Sequence, residues 1–258
     1  MNKQSFTKVM VVVAVLATIL INGLANALPL NNLTTGEISD RFEVYFVPAG
    51  YVFSIWGLIY LGLIVFAVYQ ALPDQANNPR LQTIRTPFLI SCLANIGWLF
   101  LWHYEQFMLT IVAMAVLLIS LAVIYVRLEV GRSRVSRGEK WMVRVPFSVY
   151  LGWVSVATIA NATSLLDYLG WGGWGIDPQV WAAIMIGVTV ILGSIMAVDR
   201  HDGAFTLVLS WALVGIAVKH SGNSLILIST GLAVVILNVV IGIVHAPRLL
   251  SKSRITSG

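Results

Sequence analysis

Charge is what this chain has least of. Asp, Glu, Lys and Arg make up 10% of its residues, against ~25% in an ordinary soluble domain, while hydrophobic residues make up 58%. That balance excludes a soluble globular protein. Cysteine is almost absent. The single Cys92 cannot form an intrachain disulfide, and inside an apolar run it reads as a small buried residue. Catalytic and metal-binding signatures are missing too: no HExxH, CxxC, P-loop or GxSxG occurs. His103, His201, His220 and His245 are scattered near the ends of apolar runs. A metal site needs several converging ligands, so no metal site is expected and no cofactor is required. The net charge of +5 would suggest nucleic acid in a soluble protein. In so apolar a chain its neighbours are lipid headgroups and no nucleic acid is expected.

Long apolar runs are what the chain has instead. Eight cover roughly 7–28, 47–72, 84–103, 106–126, 145–166, 178–198, 203–218 and 222–246. Each approaches or exceeds the ~20 residues that cross a ~30 Å hydrocarbon core, and none holds an acid or base away from its ends. The cations fall in alternate gaps: Lys3 and Lys8; Arg80 and Arg85; Arg127, Arg132, Arg134, Arg137, Lys140 and Arg144; Arg200; then Arg248, Lys252 and Arg254. Only Arg41 and Lys219 lie in the others. The positive-inside rule then predicts an even number of spans with both termini cytoplasmic, in a plasma membrane of bacterial type. The fold class is an all-α polytopic membrane protein. The first run has a rival reading, because Ala25-Asn26-Ala27 looks like a signal-peptide cleavage site. Cleavage of residues 1–27 would leave seven spans, and retention is the reading adopted.

The loops contrast with the runs. Residues 29–46 are polar and long enough to fold over a pocket mouth. Residues 127–144 form the main basic loop, which sets topology and secondarily offers a surface to anionic lipid. The Gly170–Gly175 turn carries Trp171 and Trp174, expected in the interfacial aromatic belt with Trp141 and Trp181. No repeat period is present.

Polar and aromatic residues inside the runs are the candidates for function. Phe53, Trp56 and Tyr60 fall at i, i+3 and i+7, as do Asn95, Trp98 and Trp102; Tyr150, Trp153, Ala157 and Asn161 form a similar stripe. An amide in hydrocarbon needs a partner, so Asn95 and Asn161 should face protein or a cavity. One reading makes the asparagines glue between helices and the aromatics filler. The other is a mid-membrane pocket lined by Phe53, Trp56, Tyr60, Asn95, Trp98, Trp153 and Asn161, suited to a flat, largely apolar ligand.

The motifs on these runs resemble those of the TspO/MBR family, the tryptophan-rich sensory proteins that include the peripheral benzodiazepine receptor. That family opens its second helix with Pro-Pro-x-Trp and later places a Trp four residues before a Tyr. Here Pro48-Ala49-Gly50-Tyr51 stands at the opening, and Trp56 and Tyr60 keep the spacing of four. Asn95-Ile96-Gly97-Trp98 matches the Asn-x-x-Trp motif of the third helix. Pro146-Phe147, Trp153 and Ala160-Asn161 follow the Pro-Tyr, Trp and Leu-Asn pattern of the fifth. Ala49 and Tyr51 depart from the family pattern, and the Pro-to-Trp distance is three residues longer than usual. The resemblance covers about 1–166 and implies a TspO-like five-helix bundle there, with about three extra transmembrane helices in 167–258. It implies a pocket closed by the first loop that binds a tetrapyrrole such as haem or porphyrin, and it matches Trp56, Asn95, Trp98, Trp153 and Asn161 to pocket positions. The sterol motif of some members is not supported, since no cation follows Tyr168 before Arg200.

Three functions stay open: a receptor, sensor or transporter for a hydrophobic small molecule; a membrane enzyme degrading porphyrin, with Trp56 and Trp153 as redox-active side chains; and a scaffold or regulatory partner without a small ligand. The first is preferred, because no residue set for ordinary acid–base or metal catalysis is visible. Membrane lipids are expected neighbours, and a homodimer stays open.

Overall fold

The computed structural model describes the backbone of residues 3–28 and 30–255, and the side chains of 6–25, 27–28 and 30–246. The side chains of Lys3, Arg248, Lys252 and Arg254, and Asn26 of the Ala-Asn-Ala sequence, lie outside the described residues. The helices are α1 (Lys3–Ala27), the short α2 (Thr35–Ser39), α3 (Ile55–Ala71), α4 (Pro79–His103), α5 (Phe107–Arg127), the single turn α6 (Arg137–Glu139), α7 (Val145–Tyr168), α8 (Pro178–Arg200), α9 (Gly203–Lys219) and α10 (Ser224–Ile255). Seven stretches are long and apolar enough to cross a membrane, and α9 is a shorter apolar helix. Its 17 residues rise ~26 Å at ~1.5 Å each, a little less than the ~30 Å core. The eighth expected span is therefore a short helix tucked among longer ones, and Phe205, Leu209, Ala212, Leu213 and Ile216 on it are buried.

Local chemistry fixes where the helices begin. The Asn78 side chain accepts from the Arg80 and Leu81 amides, with Pro79 next in sequence. Asp177 caps α8 ahead of Pro178, and Asp202 accepts from the Phe205 amide at 3.1 Å to start α9. Each satisfies amides that the first turn leaves orphaned. A π-helical turn, Lys140–Arg144, runs directly into α7. Pro146 follows it with no N–H to give, so the ordinary α ladder cannot be continued through this point.

α4 packs on α5, α5 on α7 and α7 on α9, while α1 lies against α3 and α4, and α8, α9 and α10 pack together. Phe66, Phe88 and Phe147 lock α3, α4 and α7 edge to face, with centroids 4.9 to 5.8 Å apart. The outer faces stay apolar: Leu93, Ile191 and Ile243 are exposed, as a lipid-facing surface requires.

The basic gaps meet at one end. Arg80 pairs with Glu139, Arg127 donates to the Thr83 carbonyl, Arg132 pairs with Asp199, and Arg200 reaches the Val130 carbonyl. The opposite end gathers the long loop. Asn31 donates to the His103 carbonyl, Arg41 pairs with Glu105 and Lys219 with Asp40.

Candidate functional site

Two adjoining cavities at the loop end are separated by an aromatic partition; a third at the same end, between Tyr45, Phe46, Trp171 and Trp181, shares no lining residue with them. The inner one is a slot among α3, α4, α5 and α7, lined by Phe53, Trp56, Trp98, Trp153, Met114 and Asn161, and roofed by Thr35, Ser39, Val47 and Pro48 of the loop. It is tight, with room of only about 40 Å³ for the centre of a water molecule. The outer cavity is roomier, about 420 Å³ by the same measure, and lies under α2 between Asn22, Glu37, Asp40, Gly50 and Tyr60. Phe53, Trp56, Trp98 and Thr35 line both.

The partition is built by stacking. Trp56 lies parallel to Tyr60, 5.7 Å between centroids and 23° between planes, and meets Trp153 edge-on at 6.3 Å. Phe53 meets the other side of that corner, 5.8 Å from Trp153. Trp98 stacks on Trp102 at 5.5 Å. One turn spacing along each helix presents these rings on a single face.

Two amide networks hold the walls. Asn22 Nδ2 donates to Asn95 Oδ1 at 2.8 Å, and Asn95 Nδ2 donates to the Tyr150 hydroxyl at 3.2 Å. Trp98 Nε1 donates to Asn161 Oδ1 at 3.0 Å, and Asn161 Nδ2 donates to Thr110 Oγ1 at 2.9 Å. Asn95 and Asn161 are both buried. The indole N–H of Trp153 differs: it is buried and no partner satisfies it among the described residues. A buried donor left unpaired is costly, and this one belongs to a side chain on the slot wall.

The lid over both cavities has its own order. Thr34 and Glu37 form a reciprocal capping box that starts α2, and the hydrogen bonds from Thr34 hold the Glu37 carboxyl below the ordinary carboxylate range. Trp102 Nε1 donates to the Thr35 carbonyl at 3.2 Å. Phe42 packs edge-on against Phe107 at 5.0 Å. Near the rim, burial first and Lys219 second push the His220 pKa down; its ring lies 5.2 Å from Tyr45.

Of the residues proposed from sequence, Phe53, Trp56, Trp98, Trp153 and Asn161 meet at the slot. Tyr60 lines only the outer cavity. Asn95 lines neither, because both ends of its amide are spent on Asn22 and Tyr150. Sequence reasoning found the fourth span but gave it no part in the pocket, where its Met114 and Leu117 form a wall, and it missed Asn22 and Thr110. Trp211, which the sequence analysis gave no role, donates from Nε1 to the Val52 carbonyl at 3.2 Å, and its ring meets Tyr51 at 5.5 Å. α9 can come this close because residue 215 is glycine: a Cβ there would stand 2.1 Å from Val52 Cγ2. The Gly215 carbonyl accepts the Ala49 amide at 3.1 Å. Trp171, Trp174 and Trp181 cluster with one another at the same end. His103 is buried, with Nδ1 donating to the Leu99 carbonyl at 2.9 Å, and it lines neither cavity. Among the described residues no three His, Cys, Asp or Glu gather as a metal site would need.

No curated protein and no solved structure matches the chain closely enough to count as a relative. Residues 8–244, which include α8, α9 and most of α10, match the family model described as TSPO-like protein, and the chain therefore belongs to the TSPO-like family.

Proposed function

We propose that this membrane protein is a receptor, sensor or carrier that takes a flat hydrophobic ligand, of tetrapyrrole type, between the aromatic walls of the slot. The observation that carries this reading is the unpartnered Trp153 N–H on the wall of an otherwise apolar cavity. A ligand carbonyl or ring nitrogen would satisfy that donor, and Trp56 and Trp98 supply faces for stacking. A tetrapyrrole is larger than the room now open in the slot. Binding therefore parts the partition of Phe53, Trp56 and Trp98 and joins the slot to the outer cavity. Glu37 makes the outer cavity unwelcoming to anions, and Arg41 and Lys219 are already paired with Glu105 and Asp40, so ligand carboxylates would take over those cations or reach the headgroups.

A difference-absorption titration of purified protein with protoporphyrin tests this. Saturable binding with tryptophan quenching, stable in the dark and in light, supports a receptor or carrier. Loss of the porphyrin spectrum only in light supports the degrading enzyme, and absence of saturable binding removes the tetrapyrrole. The basic end is assigned to the cytoplasm, so both termini are cytoplasmic in a plasma membrane of bacterial type. Reporter fusions after residues 140 and 172 should then report opposite sides, the first cytoplasmic.

A further inference from the structure

Far from the slot, at the basic end, Arg85 is buried without a counter-charge. Its side chain stands in the second turn of α4 and is 4% exposed. Nε and Nη2 have no partner among the described residues, and Nη1 has one long contact, 3.4 Å to Thr7 Oγ1. The neighbouring arginines have more: Arg80 is held by Glu139, and Arg144 makes two short bonds, to the Ser133 carbonyl and hydroxyl, with its Nε alone unpartnered among the described residues. No carboxylate pairs with Arg85 among the described residues, and segments 1–5 and 247–258 contain no Asp or Glu. Lys8 adds a second cation whose charge repels that of Arg85. Burial takes a guanidinium out of the water that stabilises its charge, and an uncompensated buried cation is costly.

An apolar groove begins beside Lys8. It runs between α1 and α3 along Val12, Val15, Leu16, Ile64, Val68 and Leu72, with room of about 470 Å³. Lys8 lies one turn before Val12 on the same face of α1, and its Nζ reaches the Leu72 carbonyl at 3.4 Å, at the groove's end. Leu16 and Val68 on the groove wall are exposed, so the groove opens where lipid tails lie.

We infer that the Lys8 end of this groove binds the phosphate of an anionic phospholipid of the surrounding leaflet, with Lys8 and Arg85 as its charge partners and one acyl chain laid in the groove between α1 and α3. The charge complementarity selects the headgroup, and the apolar groove selects a lipid over free phosphate. Basic pockets between transmembrane helices are suited to such headgroups.

The full chain in mild detergent is titrated with phosphatidylglycerol, phosphatidylcholine or inorganic phosphate, and bound lipid is read by native mass spectrometry alongside the melting temperature. The wild type should retain one phosphatidylglycerol and melt higher with it than with phosphatidylcholine. Arg85→Gln should retain at least about fivefold less, while melting at or above the wild type without lipid, because it removes the buried charge. Arg85→Lys should keep most of the lipid-dependent shift. Val68→Trp should fill the groove and lose phosphatidylglycerol with both cations intact. Unchanged retention by Arg85→Gln overturns the proposal. So does a loss in Arg85→Lys as large as in Arg85→Gln, which would mean packing alone. Stabilisation by millimolar inorganic phosphate equal to that by phosphatidylglycerol overturns the lipid as occupant.

Discussion

Asn22 Nδ2 of α1 donates to Asn95 Oδ1 of α4 across 2.8 Å, in a buried layer where Asn95 Nδ2 in turn donates to the Tyr150 hydroxyl at 3.2 Å. The bond ties the first helix into the bundle.

Replacing Asn95 by Ala removes both bonds and leaves a small void. Polar bonds between membrane helices contribute ~1 kcal/mol each, so a loss of roughly 2 kcal/mol is expected in reversible unfolding from mixed micelles. Asn95→Ala should leave ligand affinity within about twofold, because Asn95 lines neither cavity. A large affinity loss with unchanged stability would return Asn95 to the binding wall.

Gly215→Val should be damaging. The first added carbon already meets Val52 Cγ2 at 2.1 Å and Pro48 Cβ at 3.0 Å, so α9 must back away from the segment that carries Phe53. Overpacking of this kind costs about 1–3 kcal/mol. The expected result is a lower melting temperature together with weakened ligand binding. Binding at wild-type strength would show that α9 does not brace the slot.

What the sequence reveals and hides follows from the solvent. Lipid is as apolar as a protein core, so hydrophobic periodicity does not mark the inward face of a span, and only polar or aromatic residues do. Asn95, Asn161 and the tryptophan stripes were legible for that reason. Met114 and Leu117 were not, because an apolar residue on an apolar helix carries no mark. Charge alternation grouped the cations that meet at one end of the bundle, and the apolar run at 203–218 marked α9, a helix shorter than a full span. The bracing by Trp211 was hidden, because nothing local in residues 203–219 signals a contact with Val52, a partner 159 residues away. Asn22 was passed over as one amide in an apolar run whose partner lies 73 residues on.

His220 should make the rim sensitive to acid. Its folded pKa is pushed below the ordinary value of 6.5, by burial first and Lys219 second, so the native state favours the neutral ring. That contribution is intact above about pH 6.5 and is lost as pH falls through the lowered value. The melting temperature should therefore drop between pH 7 and 5, and His220→Gln should flatten part of the drop. An identical pH profile in the variant would remove His220 from the account.

The measurement that bears most directly on the slot is protoporphyrin affinity across a set of tryptophan variants, read by absorption so that quenching is not confounded. Trp153→Phe keeps a ring but deletes the unpartnered N–H, and should weaken binding by about 1 kcal/mol, roughly fivefold. Trp56→Leu removes a stacking face and should cost about 1–2 kcal/mol. Trp141→Leu, at an exposed position in the basic loop region, should bind like wild type. If Trp153→Phe and Trp56→Leu bind as tightly as wild type while the protein still takes up the porphyrin, the ligand does not occupy the slot and the central claim is wrong.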